Sequence, residues 1–186
     1  MPKLWVSRSL QIYTQANYLT GPDPGNSLFE SQIFVMAASQ APYSVYSCEW
    51  GTTTSFVAVI QVSTNGSIAS LGQSLEYASG SGVHGLALSP DQRYLYSADD
   101  PGNAVWTHQV KADGTLAYVG KLTAPSNGSD PRHVDVHPSG NYLYVVLEKT
   151  NQVAIYSIDP QTRLPSASSQ LVPVIPSGNV ILESRR

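Results

Sequence analysis

Three side chains in this sequence combine the right types with a telling spacing. His84 lies in Gly82-Val-His-Gly85, Arg132 in Asp130-Pro-Arg-His133, and Glu148 directly after Tyr142-Leu-Tyr-Val-Val-Leu147. An imidazole exchanges a proton near neutral pH. A guanidinium grips a carboxylate through two parallel hydrogen bonds. A glutamate donates a proton only where burial or anionic neighbours raise its pKa. Each also has an ordinary structural use. His84 suits a turn, Arg132 can tie one segment to the next, and Glu148 beside Lys149 reads equally as an exposed charge pair worth little energetically. What joins the three is position: His84 and Arg132 are 48 residues apart, and the same step from Glu148 leads back to Asp100.

The other chemical signatures are missing from the sequence. No two histidines show a catalytic metal spacing, and Cys48 is the single cysteine, so neither a metal site nor an intrachain disulfide is expected. No glycine-rich phosphate loop or nucleophile elbow occurs, and no cofactor is expected. His108, His133 and His137 are expected to serve structure, with His137 in a turn where Ser89 stands one repeat earlier. A formal net charge of −3 offers no basic patch for nucleic acid, and no apolar run is long enough to span a membrane. The first residues lack an apolar leader pattern, so a cytoplasmic location is expected. With that, the sequons at Asn65 and Asn127 read as turns.

The elements that must position these side chains repeat. Leu86-Ala-Leu-Ser-Pro-Asp-Gln-Arg-Tyr-Leu-Tyr96 aligns without a gap on Val134-Asp-Val-His-Pro-Ser-Gly-Asn-Tyr-Leu-Tyr144, at the same offset of 48. Asn65-Gly66 aligns on Asp113-Gly114 in the same way, with a looser third member at Asp159. Within one unit, Val83 to Leu88, Tyr94 to Ala98, Ala104 to Val110 and Thr115 to Leu122 are short β-prone runs separated by turn residues. Helical periodicity is absent, and charged residues are only 12%, too few for long surface helices. Four strands per repeat predict an all-β fold, a β-propeller with about three readable four-stranded blades, in preference to a β-sandwich. Tyr94, Tyr96, Tyr142 and Tyr144 are expected to pack between blades. Gln32 to Ala38 and Ser55 to Val62 read as middle strands of an earlier blade, with Gln40 to Thr54 a long aromatic loop. Residues 1–30 form an irregular segment, residues 31–176 the partial propeller and residues 177–186 a tail.

From Gln32 onward the chain resembles the lactonase family of seven-bladed β-propellers, and within it the fungal muconate-cyclizing branch. The resemblance rests on Ile33-Phe-Val-Met-Ala-Ala-Ser-Gln-Ala-Pro-Tyr-Ser-Val-Tyr46, Gly82-Val-His-Gly85, Tyr94-Leu-Tyr-Ser-Ala-Asp99, Val105-Trp-Thr-His108, Asp130-Pro-Arg-His-Val134 and His137-Pro-Ser-Gly-Asn-Tyr-Leu-Tyr144. It implies an intramolecular lyase that closes a γ-lactone from 3-carboxymuconate without metal or organic cofactor. His84 and Glu148 would be catalytic, and Arg132 would bind the small anionic carboxylate substrate. The family uses a further arginine from a later blade that this sequence does not contain, so impaired activity is expected. A lactone hydrolase of the phosphogluconolactonase type and a non-catalytic binding scaffold are the rival readings. An open arc of blades is also expected to self-associate through its unpaired blade edges.

Overall fold

The computed structural model describes residues 32–50 and 55–175. Asparagine and aspartate side chains close the hairpins that join the third and fourth strands of each blade. Asp113 Oδ1 accepts from Thr115 N at 2.9 Å, Asn65 Oδ1 from Ser67 N at 3.0 Å, and Asp159 Oδ1 from Gln161 N at 2.9 Å. These local bonds offer the chain a turn at fixed intervals, and β-branched and aromatic runs fill the intervals. Among the described residues twelve strands result, in three antiparallel sheets. The first blade comprises β1 (Gln32–Ala37), β2 (Ser44–Glu49), β3 (Phe56–Val62) and β4 (Ile68–Glu76). The second comprises β5 (Val83–Leu88), β6 (Tyr94–Asp99), β7 (Ala104–Val110) and β8 (Leu116–Thr123). The third comprises β9 (Pro131–Val136), β10 (Tyr142–Leu147), β11 (Gln152–Ile158) and β12 (Pro165–Pro173). Each sheet runs in sequence order, so β1, β5 and β9 are equivalent edge strands, and β5 and β9 approach each other closely.

Two apolar layers hold the blades together. Between the first and second lie Tyr46, Cys48, Val57 and Val59 against Val83, Leu86, Leu95 and Trp106. Between the second and third lie Tyr96, Ala98 and Val105 against Val134, Val136, Leu143, Val145 and Leu147. Truncating a fully buried leucine such as Leu143 costs about 2–5 kcal/mol. The predicted equivalence of Ser89 and His137 holds. Ser89 Oγ accepts from Tyr94 N at 3.0 Å, and His137 Nδ1 accepts from Ser139 N at 3.1 Å, each inside the turn after its first strand.

The first blade departs from the reading of the sequence. The stretch Gln40 to Thr54 is no loop, because it contains the buried strand β2, and Gln32–Ala37 is the first strand of its sheet and not a middle one. The reason is spacing. The connections 38–43 and 50–55 are longer than their counterparts 89–93 and 100–103, so β2 aligns with β6 at an offset of 50. At that offset Tyr46 matches Tyr96, and both are buried. A second correction concerns Tyr142, which is 46% exposed because it lies on the outward face of the third blade. Tyr94, its equivalent on the second blade, is half-buried against the layer between the second and third blades. The expectations for residues 1–30 and 177–186 lie outside the described residues.

Candidate functional site

The ends of β5 and β9 carry the same irregularity. In the pairing of β5 with β6, Val83 faces Asp99 and Gly85 faces Ala98, so His84 is the extra residue of a bulge. In the pairing of β9 with β10, His133 faces Val146 and Pro131 faces Leu147, which leaves Arg132 as the extra residue. A bulge frees its residue from the pleat and re-aims the side chain. His84 and Arg132 are thus turned out of their sheets at matching points of neighbouring blades, one residue inside the strand and not just before it. The equivalent in the first blade is Ile33, which has no chemistry to offer.

Glycine makes this approach close enough to matter. A β-carbon on Gly85 would stand 2.7 Å from Arg132 O and 3.0 Å from the His133 Cα, both backbone atoms that cannot yield. The loop ahead of His84 is pinned by Asp99, which is fully buried. Its Oδ1 accepts from Gly82 N at 2.8 Å and Gly102 N at 3.0 Å, and its Oδ2 from Trp106 Nε1 at 2.8 Å.

The three predicted residues come together. Arg132 Nη1 donates to Glu148 Oε2 at 2.5 Å and lies 3.8 Å from Asp100 Oδ2. Glu148 and Asp100 follow the second strands of the third and second blades, so two blades send equivalent carboxylates to one guanidinium. They differ in cover: the Asp100 side chain is 7% exposed and that of Glu148 42%. His84 is half-buried and senses the charges of both Arg132 and Glu148. Burial, then the Arg132 guanidinium and His133, hold its pKa down to about 4, and Glu148 opposes them. His84 is therefore neutral at neutral pH. Its Nδ1 is buried and makes no hydrogen bond.

His133 was expected to serve structure, but it belongs here. Its exposed ring meets that of His84 edge to face, with centroids 5.0 Å apart. The signal that could have found it is adjacency to Arg132 on an edge strand. Among the described residues no cluster of His, Cys, Asp or Glu has metal-binding geometry. His108 is remote from this group, buried between the rings of Tyr77 and Tyr118.

The blade repeat agrees with the comparisons to known proteins. Residues 43–181 match the family model described as Lactonase, 7-bladed beta-propeller. The chain belongs to this lactonase family. It is 40% identical over 176 residues to the carboxy-cis,cis-muconate cyclase of Neurospora crassa, covering 93% of this chain and 48% of that protein. The chain thus spans about half the length of this curated relative. Among solved structures, a protein from Lactobacillus plantarum superposes with a TM-score of 0.68 at 24% identity, over 80% of this chain and 44% of the other. The periplasmic gluconolactonase of Pseudomonas aeruginosa superposes with a TM-score of 0.63 at 22% identity, over 74% of this chain and 41% of the other. These likenesses establish the propeller architecture.

Proposed function

We propose that this lactonase-family chain supplies part of a site that closes a lactone on a small polycarboxylate of the 3-carboxymuconate type. The observation that carries this is the bulge pair, which turns His84 and Arg132 from adjacent blades toward one group of carboxylates. In the reaction, a substrate carboxylate oxygen bonds to a carbon of the conjugated diene. The displaced π electrons move to the neighbouring carbon, which takes up one proton. No other bond breaks and no oxidant is needed. Arg132 would hold a substrate carboxylate in place of Glu148, and His84 would deliver the proton once the anion has charged it. The similarity to the Neurospora crassa cyclase supports the choice of substrate class.

The assay is the ultraviolet absorbance of the diene after addition of 3-carboxy-cis,cis-muconate. A loss of absorbance that falls about 10²–10⁴-fold in His84→Ala supports the reading. Unchanged absorbance, together with no saturable binding of this acid, overturns it. The hydrolytic alternative is favoured by one feature, the neutral state of His84, which suits it to take a proton from water. Acid release from 6-phosphogluconolactone in a pH-stat separates the two.

We also propose that the outward face of the third blade mediates self-association with a second copy. Val146, Val153 and Val172 form one cross-strand row there, in register with the row Ala98, Val105 and Leu122 that the second blade turns toward the third. Val146 is 38% exposed. Such a surface gains stability when covered.

A further inference from the structure

At the far end of β5 from His84, about 13 Å along the strand at ~3.3 Å per residue, the turns of the first and second blades form a cleft of about 280 Å³. Its cations are Arg93 and Lys111. Among the described residues neither lies within ion-pair distance of a carboxylate, although Arg93 acts through its charge on Asp91 and Lys111 on Asp113. The one carboxylate in the lining, Asp91, is engaged within its own turn, accepting from Ser89 Oγ at 2.5 Å and from Arg93 N at 3.2 Å. Ala38, Pro42 and Val110 contribute apolar wall.

The cleft is built, and its construction costs something. Gln92 has φ +54°, in the left-handed region, where the third blade has Gly140 at φ +73°. A residue with a β-carbon adopts that conformation only at a cost in backbone strain. In return the Gln92 side chain clasps the opposite wall. Its Oε1 accepts from Ser39 N at 2.8 Å and Gln40 N at 3.2 Å, and its Nε2 donates to Ser39 Oγ at 2.5 Å. The walls from two blades are thus fixed relative to each other, and Arg93 and Lys111 line a preformed space. Preorganisation of this kind lowers the entropic cost of binding.

We propose that this cleft binds a small organic anion, one acidic head group on Arg93 and Lys111 with a short apolar body against Pro42 and Val110. It is separate from the group around Arg132 and does not depend on the reaction assigned there. The test is equilibrium dialysis of the 186-residue chain against radiolabelled benzoate, with inorganic phosphate as a second probe. Dialysis reads binding whatever the state of association. Benzoate is expected to saturate one site that survives Arg132→Ala. Arg93→Ala and Lys111→Ala should each weaken it about tenfold, the effect of losing one charged hydrogen bond. Arg93→Lys should restore part of the affinity. Both replaced side chains are exposed, so the fold does not depend on them. Stronger retention of benzoate than of phosphate supports the apolar body. The proposal is overturned if benzoate does not saturate, if binding is unchanged in both alanine variants, or if Arg132→Ala abolishes it.

Discussion

If Arg132 trades Glu148 for a substrate carboxylate, the charge on His84 must follow the ligand. In this structure its pKa is held down to about 4 by burial and by the guanidinium. A carboxylate placed ~4 Å from the ring at an effective dielectric of ~20 contributes roughly 4 kcal/mol in favour of the imidazolium. At 1.36 kcal/mol per pKa unit, that is about 3 units before solvent screening. Screening at a half-buried ring, and the withdrawal of Glu148, whose charge already raises this pKa, leave a rise on the order of 1–2 units, which brings the pKa of His84 closer to neutral pH. The perturbation is saturation with propane-1,2,3-tricarboxylate, which has the carboxylates and lacks the diene. The assay is the pH titration of the His84 Cε1–H resonance, assigned by its loss in His84→Asn, with and without the ligand. Proton uptake on binding at pH 6, measured calorimetrically in buffers of different ionisation enthalpy, is the independent check. Arg132→Ala should raise the ligand-free pKa, because the second largest cause of its depression is removed, and should abolish the ligand-dependent rise. A ligand-free value near 6.5 would refute the reasoning, as would binding at Arg132 that leaves His84 unmoved.

Four further outcomes follow from the same structure. Gly85→Ala should push β5 from β9, lowering the urea midpoint and, beyond that, separating the His84 and His133 rings, seen as loss of their mutual chemical-shift effect. His108 is 2% exposed with its pKa lowered to about 4 by burial, so it is neutral when folded and protonates at ~6.5 when unfolded. Stability from this residue is complete above pH ~6.5 and is lost as pH falls toward 4, roughly 2 kcal/mol by pH 5; His108→Phe should lack that part of the acid loss in urea titrations at pH 7 and pH 5. Val146→Asp should lower the concentration-dependent mass measured by light scattering, and an unchanged mass would argue against association through the third blade. Glu148→Gln should bind propane-1,2,3-tricarboxylate more tightly, about tenfold, in calorimetry, because a competing and repelling carboxylate is gone.

What the sequence disclosed followed from its repeat. The second and third blades share one offset, so a turn at Pro90 predicts one at Pro138, and strands β5 to β12 fall within a few residues of their expected places. The juxtaposition of His84 and Arg132 was legible for the same reason. The first blade was not, because small changes in loop length move β2 out of phase while leaving β3 in phase. The bulges were invisible, since register is a property of two strands and His84 reads as an ordinary member of an apolar run. The two adjacent acids Asp99 and Asp100 also read alike. In the fold the first is spent on three donors that pin a loop, and only the second faces Arg132. His133 was passed over because its ring contact with His84 depends on how closely β5 and β9 approach, which only the fold shows.

The charge balance of the site explains why its two carboxylates need to differ. Arg132 with Asp100 and Glu148 carries a net −1 while His84 is neutral, so an incoming anion meets repulsion unless one carboxylate withdraws. Asp100 is buried and has nowhere to take its charge without a large desolvation loss. Glu148 is nearly half exposed, and an ion pair in that setting is worth only about 0–1 kcal/mol. Glu148 can therefore turn to solvent cheaply, while Asp100 keeps the guanidinium aimed. The vacated fork of Arg132 then faces the ligand, and the ligand's own charge raises the pKa of the neighbouring imidazole. On the function proposed above, the substrate itself would convert His84 from a neutral ring into an acid, which would keep the proton out of the site until there is a carbon to receive it.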